Sequence, residues 1–208
     1  MAISTLRATT AALLLFSAAA CEELTVPQLG GAYLGQVDSP FNVEGAVLFE
    51  LPLEGLQSIT APNRVLIAQP VDSMLRVLII NRGDRTFGAP LSFVMQLDDG
   101  VAPRGGNVLA VSAPNDDIRD FVGGYELRFS RDRTGDIVSD PIPPDPSPPG
   151  PYAVAQLIPH FFGVPASSQL VTYMDFHGNF SGAYDIGDLR RYLLTWPSQF
   201  PTTDTWTR

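Results

Sequence analysis

The chain has 208 residues, 45% of them hydrophobic, with 22 acidic side chains against 13 basic ones and a formal net charge of −9. Every basic residue is an arginine, and the arginines are scattered among acids, which excludes the clustered cations that nucleic-acid phosphates require. A single cysteine, Cys21, excludes a disulfide framework.

The N-terminus, MAISTLRATTAALLLFSAAAC, carries one cation, an apolar run from Ala11 to Ala20 and three alanines before Cys21. This is the layout of a secretory signal, and the run falls short of the ~20 apolar residues that a spanning helix needs. Cleavage is expected between Ala20 and Cys21. Ala18-Ala19-Ala20-Cys21 also resembles a bacterial lipobox, although a leucine or another branched residue is usual where Ala18 stands. The resemblance implies a diacylglycerol on the Cys21 thiol and hence attachment to a membrane, which also removes the liability of a lone thiol in an oxidising compartment. Glu22 is not the aspartate that resembles an inner-membrane retention signal, so the outer membrane or cell surface is the expected address; a secreted or periplasmic protein is the alternative. Residues 1–20 are thus read as signal peptide and 21–30 as tether.

From residue 31 to 133, short β-branched and aromatic runs alternate with turn residues, the pattern of an all-β antiparallel sandwich. Strands are expected at Ala32–Val37, Ala46–Leu53, Arg64–Ala68, Met74–Ile80, Leu91–Leu97, Asn107–Ser112 and Gly124–Phe129. In AVLFELPL, Val47, Phe49 and Leu51 share one face with Glu50 on the other, and Leu91, Phe93, Met95 and Leu97 share one face of LSFVMQL. Residues 134–151, centred on IPPDPSPPGPY, are too rich in proline for a ladder and read as a semi-rigid linker.

Residues 152–197 change period. Tyr152–Phe162 has helical spacing that Pro159 kinks or ends, Ser167-Ser168-Gln169 offers an N-cap for Leu170–Met174, and Asp185–Trp196 is the strongest helix, stopped by Pro197. Residues 198–208 read as a poorly ordered tail. The expected fold is therefore mainly β: an antiparallel sandwich, a proline-rich linker and a small α-helical helix-loop-helix module.

Between the last two helices, placing Gly182 at the sixth position of a twelve-residue calcium loop puts Asn179 third, Ser181 fifth, the Ala183 carbonyl seventh, Asp185 ninth and Asp188 twelfth. The first position is His177, which does not suit a cation that prefers oxygen. Tyr184-Asp185-Ile186-Gly187-Asp188-Leu189 with Tyr192-Leu193-Leu194 resembles the calcium-loop helices of dockerins, with one loop where a dockerin has two. That resemblance implies at most a weak calcium site; the alternative is a metal-free turn in which Asp185 and Asp188 cap a helix. Residues 42–51, NVEGAVLFEL, together with LSFVMQL, are loosely similar to the opening strands of cohesins, immunoglobulin-like sandwiches that partner dockerins. The likeness implies a protein-protein interaction or scaffolding role with a partner in the envelope.

A catalytic reading finds little to stand on. The two histidines, His160 and His177, lie on an apolar segment and in the loop, and the sequence has no serine elbow, zinc helix or phosphate-binding glycine loop. Asp98-Asp99 and Asp116-Asp117 are adjacent pairs in turns, whereas the carboxylates of a glycosidase face each other across a cleft. The chain is read as non-catalytic. Glycan binding is the second reading, ranked below a protein partner because Tyr33, Phe41, Phe49, Phe87, Phe93, Phe121, Tyr125 and Phe129 mostly alternate with polar neighbours as core residues do; an accessory part in a secreted hydrolase system comes after both.

Overall fold

The computed structural model describes residues 29–41, 43–82, 91–132, 146–201 and 204–208. Cys21, the signal and most of the tether lie outside these residues, as do Phe87, Arg133 and linker residues 134–145.

The described chain is mainly β. It contains β1 (Gly31–Asp38), β2 (Ala46–Pro52), β3 (Leu56–Thr60), β4 (Val65–Val71), β5 (Met74–Ile80), β6 (Ser92–Leu97), β7 (Asn107–Ser112), β8 (Glu126–Arg131) and β9 (Thr205–Thr207). These build two antiparallel sheets, one ordered β8-β1-β6-β3-β9 and the other β4-β5-β2-β7. Because side chains alternate across a strand, each sheet turns one apolar row inward. Tyr33 and Val37 from β1, Phe93, Met95 and Leu97 from β6, Val47, Phe49 and Leu51 from β2, and Leu75, Val77 and Ile79 from β5 meet in one core between the sheets. Phe49 stacks on Phe93 at 5.0 Å, and a Cβ at Gly35 would overlap the Phe93 ring, so glycine is needed where that ring crosses β1.

β3 and β9 have no counterpart in the sequence expectation. In β3 the inward residues are Leu56 and Ile59, three apart, because a bulge shifts the register between Leu56 and Ser58; the alternation that marks a strand is therefore missing from LQSIT. The last residues, read as a tail, form β9, which pairs with β3 through Ile59 opposite Trp206. β4 also runs past its expected end. Pro70 is tolerated there because β4 is an edge strand, and Asp72 (φ 54°) and Ser73 make the two-residue turn into β5.

The outer face of the β4-β5-β2-β7 sheet is apolar as well, with Ala46, Leu48, Val65, Leu78 and Ile80 all buried. Three helices cover it: α1 (Val154–Leu157), which tightens at Pro159 into a 3₁₀ turn over Ile158–Phe162, α2 (Ser168–His177) and α3 (Ile186–Thr195). Leu157, Phe161, Met174, Leu189 and Leu193 form a second core with the sheet. Arg76 bonds Glu50 on the neighbouring strand at 2.6 and 2.9 Å and donates to the Phe161 carbonyl at 3.0 Å, fixing the 3₁₀ turn on the sheet. Residues 146–151 of the expected linker run along the C-terminal end of α3, where Ser198 donates to the Pro148 carbonyl at 3.1 Å.

Candidate functional site

The loop that joins α2 to α3 brings the predicted ligands together as a hydrogen-bonded turn. Asp185 is the N-cap of α3, accepting from the amides of Gly187 at 2.8 Å and Asp188 at 3.1 Å, and Asp188 reciprocates by accepting from the Asp185 amide at 2.9 Å. This is a capping box with aspartate in the place of the usual glutamate. The other oxygen of Asp188 accepts from the Asn179 amide at 2.9 Å, so both oxygens of a side chain only 1% exposed face backbone N–H groups. Ser181 donates to Asp185 at 2.8 Å with the Ala183 carbonyl 3.1 Å from its hydroxyl, Asn179 donates to Asp185 at 3.1 Å, and Asp175 accepts from the Gly182 amide at 2.9 Å. As arranged, the carboxylates of Asp185 and Asp188 accept from N–H and O–H groups, the opposite polarity from an oxygen cage around a cation. Among the described residues no group of three or more His, Cys, Asp or Glu side chains is placed to hold a metal ion. Burial, reinforced by the nearby Asp185 and Asp175 charges, outweighs the two backbone N–H bonds and pushes the Asp188 carboxyl up to about 6.

The same turn clamps the helices to the sandwich. Arg190, 4% exposed, pairs with Asp116 and donates to the Pro114 carbonyl at 2.9 Å and the Asn81 carbonyl at 3.3 Å. Asn179 donates to the Asp116 carbonyl at 3.0 Å. A Cβ at Gly187 would overlap that carbonyl, so the first turn of α3 sits backbone to backbone on the turn after β7. Burial raises the Asp116 carboxyl above its ordinary range even with Arg190 beside it.

His160, His177, Asp98, Asp116 and Asp117, weighed for catalysis, have other contacts. His160 stacks on Tyr184 at 5.1 Å and meets Phe161 edge-on, and His177 packs against Tyr173 and Phe176. Asp98 accepts from Gln57 at 2.7 Å and Asp117 from Asn115 at 2.6 Å, while Asp116 belongs to the clamp. Of the β-region aromatics, Tyr33, Phe49, Phe93 and Tyr125 are buried and Phe129 is partly so, whereas Phe41 and Phe121 are exposed on loops.

Sequence reasoning missed the outward face of the helices. Tyr152, Tyr173, His177, Phe176 and Phe180 form a continuous run of rings, with successive centroids 5.0, 4.4, 5.0 and 5.9 Å apart. Phe176 is 63% and Phe180 68% exposed. Tyr152, Tyr173, Phe176 and His177 line a groove of about 530 Å³ along α2 together with Ser168, Gln169 and Thr172. On the far side of Tyr152 lies a second hollow of about 270 Å³, lined in part by Gln156, His160, Val164 and Ser167. Tyr152 is held in place between them, its amide donating to the Tyr192 hydroxyl at 2.8 Å and its carbonyl accepting from the same hydroxyl at 2.7 Å. The signal was available in the spacing of Tyr173, Phe176 and His177, in steps of three and four residues flanking the buried Leu170 and Met174. Compared with family models, curated proteins and solved structures, the chain matches none.

Proposed function

We propose that this chain is a non-catalytic binding protein of the bacterial envelope, tethered through lipidated Cys21 at the outer membrane or cell surface. Its sandwich is the scaffold and the outer face of α2 the recognition surface. The observation that carries the reading is the run of five rings at the solvent side of α2, in which Phe176, His177 and Phe180 are exposed and Tyr152 and Tyr173 are half-buried against the core. Large exposed aromatic patches on soluble domains mark places where something binds. The protein partner expected from the cohesin and dockerin likeness meets a different situation on the sandwich itself, because the apolar outer face of the β4-β5-β2-β7 sheet is already covered by the chain's own helices. The dockerin-like turn is likewise engaged with the chain's own Asp116. The α2 face is not engaged in this way. The loop is a metal-free capped turn in this account.

Photo-crosslinking tests the assignment in intact envelopes. A benzophenone amino acid at position 180 is expected to capture a ligand, and the same group at Gln36, on the outer face of β1, to capture none. The N-terminal peptide of the same membrane-derived protein should carry a diacylglycerol on Cys21. Capture from position 36 alone, or an unmodified Cys21 in the soluble fraction, would contradict the corresponding half of the proposal.

A further inference from the structure

We propose that the groove along α2 binds an uncharged polysaccharide, laid across the rings of Tyr173 and Phe176 with its hydroxyls toward Ser168, Gln169 and Thr172. The inference rests on the reading of the α2 face as the recognition surface and names what that surface takes.

Three observations point to this chemistry. The first is charge. The chain has 22 acidic and 13 basic residues, yet no Asp, Glu, Lys or Arg lines either the groove or the hollow beyond Tyr152. A charged ligand would find no carboxylate, ammonium or guanidinium there, and the net charge of −9 repels anions in general. The second is the pairing of surfaces. A sugar ring carries a flat patch of C–H groups and a rim of hydroxyls, and it needs an apolar floor beside neutral donors and acceptors. Tyr152, Tyr173, Phe176 and His177 supply the floor; Ser168, Gln169 and Thr172 supply hydroxyl and amide groups that donate and accept. The third is rigidity and reach. Tyr152 is fixed by its double contact with Tyr192 and supports Tyr173 from below at 5.0 Å, so the platform is formed before the ligand arrives. The ten residues of α2 extend about 15 Å, and the hollow past Tyr152 continues the path, which suits a chain of sugars better than a single one.

The test is electrophoresis of the purified full chain through native gels that contain galactomannan, mixed-linkage β-glucan, arabinoxylan or glycogen, with alginate as the anionic counterpart and a polymer-free gel as reference. Retardation is expected in at least one neutral gel and not in alginate. Phe176→Ala should weaken it about tenfold or more, and Thr172→Arg, which places a bulky charge in the groove, should abolish it, with melting temperatures unchanged because both positions are exposed. Free mobility in all four neutral gels, retardation in alginate alone, or retardation that survives both substitutions overturns the proposal. A polypeptide adduct from position 180 in the envelope crosslinking also overturns it while leaving the α2 face as the recognition surface; an absence of any adduct there, with free mobility in the gels, removes both.

Discussion

Replacing Arg190 with methionine is expected to destabilise the chain by about 3–5 kcal/mol at neutral pH, the usual result of removing one partner from a buried ion pair. Methionine keeps the length and apolar stem of the side chain, so the loss falls on its polar head. That head holds the Asp116 carboxylate and the carbonyls of Pro114 and Asn81, and without it the Asp116 charge is left buried without its counter-ion. Asp116 is already raised by burial, and losing Arg190 raises it further, so the variant can shed its unpaired charge by taking up a proton. The deficit of Arg190→Met should therefore shrink as pH falls below neutral. Adding Asp116→Asn should recover part of it, which denaturant titrations of the single and double variants will measure.

Asp188→Ala is expected to cost about 2–4 kcal/mol, because it strands the amides of Asn179 and Asp185 in a place that water does not reach. Asp188→Asn should cost less, since its carbonyl oxygen still serves one of the two amides. The pH dependence has the opposite sign to that of Arg190→Met. The folded-state value near 6 lies above the ordinary aspartate value, so the stabilisation linked to proton uptake is complete below about pH 4 and is lost as pH rises through 6. The deficit of Asp188→Ala against the native chain should accordingly widen from pH 7 to pH 4. Calcium separates the two readings of the loop. With the carboxylates committed to N–H groups, millimolar calcium should leave the melting temperature unchanged with or without a chelator. A calcium-dependent rise that Asp188→Ala abolishes would restore the loop to the metal-binding role that its spacing suggests.

Much of the fold was legible because its strands obey the period-two rule. LSFVMQL and AVLFELPL were placed within a residue or two, with Val47, Phe49, Leu51, Phe93, Met95 and Leu97 facing the core as their alternation requires. β3 escaped because its bulge puts the two inward residues three apart, and β9 because three residues between polar neighbours carry no pattern of their own and depend on pairing with β3. The helical cover was half legible. The Val77–Ile80 run of MLRVLII is buried on both faces, which means that something must lie on the outer side of the sheet. At the α2–α3 loop the composition shows that Asn179, Ser181, Asp185 and Asp188 cluster, but not which way each oxygen turns. The same residues fit a cation cage or a capped turn until the backbone amides are placed. The aromatic face of α2 shows in the sequence only as helical spacing, which a buried face shares until the sheet beneath the helix is placed.

The central claim is that the helices are a structural layer of the sandwich, which is why recognition falls to their outer face. Differential scanning calorimetry of the full chain tests it most directly. Removing the helices would expose Leu48, Val65, Leu78 and Ile80, so sheet and cover should unfold together. A single transition is expected, with calorimetric and van't Hoff enthalpies in agreement. Two resolved transitions, with Arg190→Met lowering only one of them, would mean that the helices form a separate unit and would contradict the account.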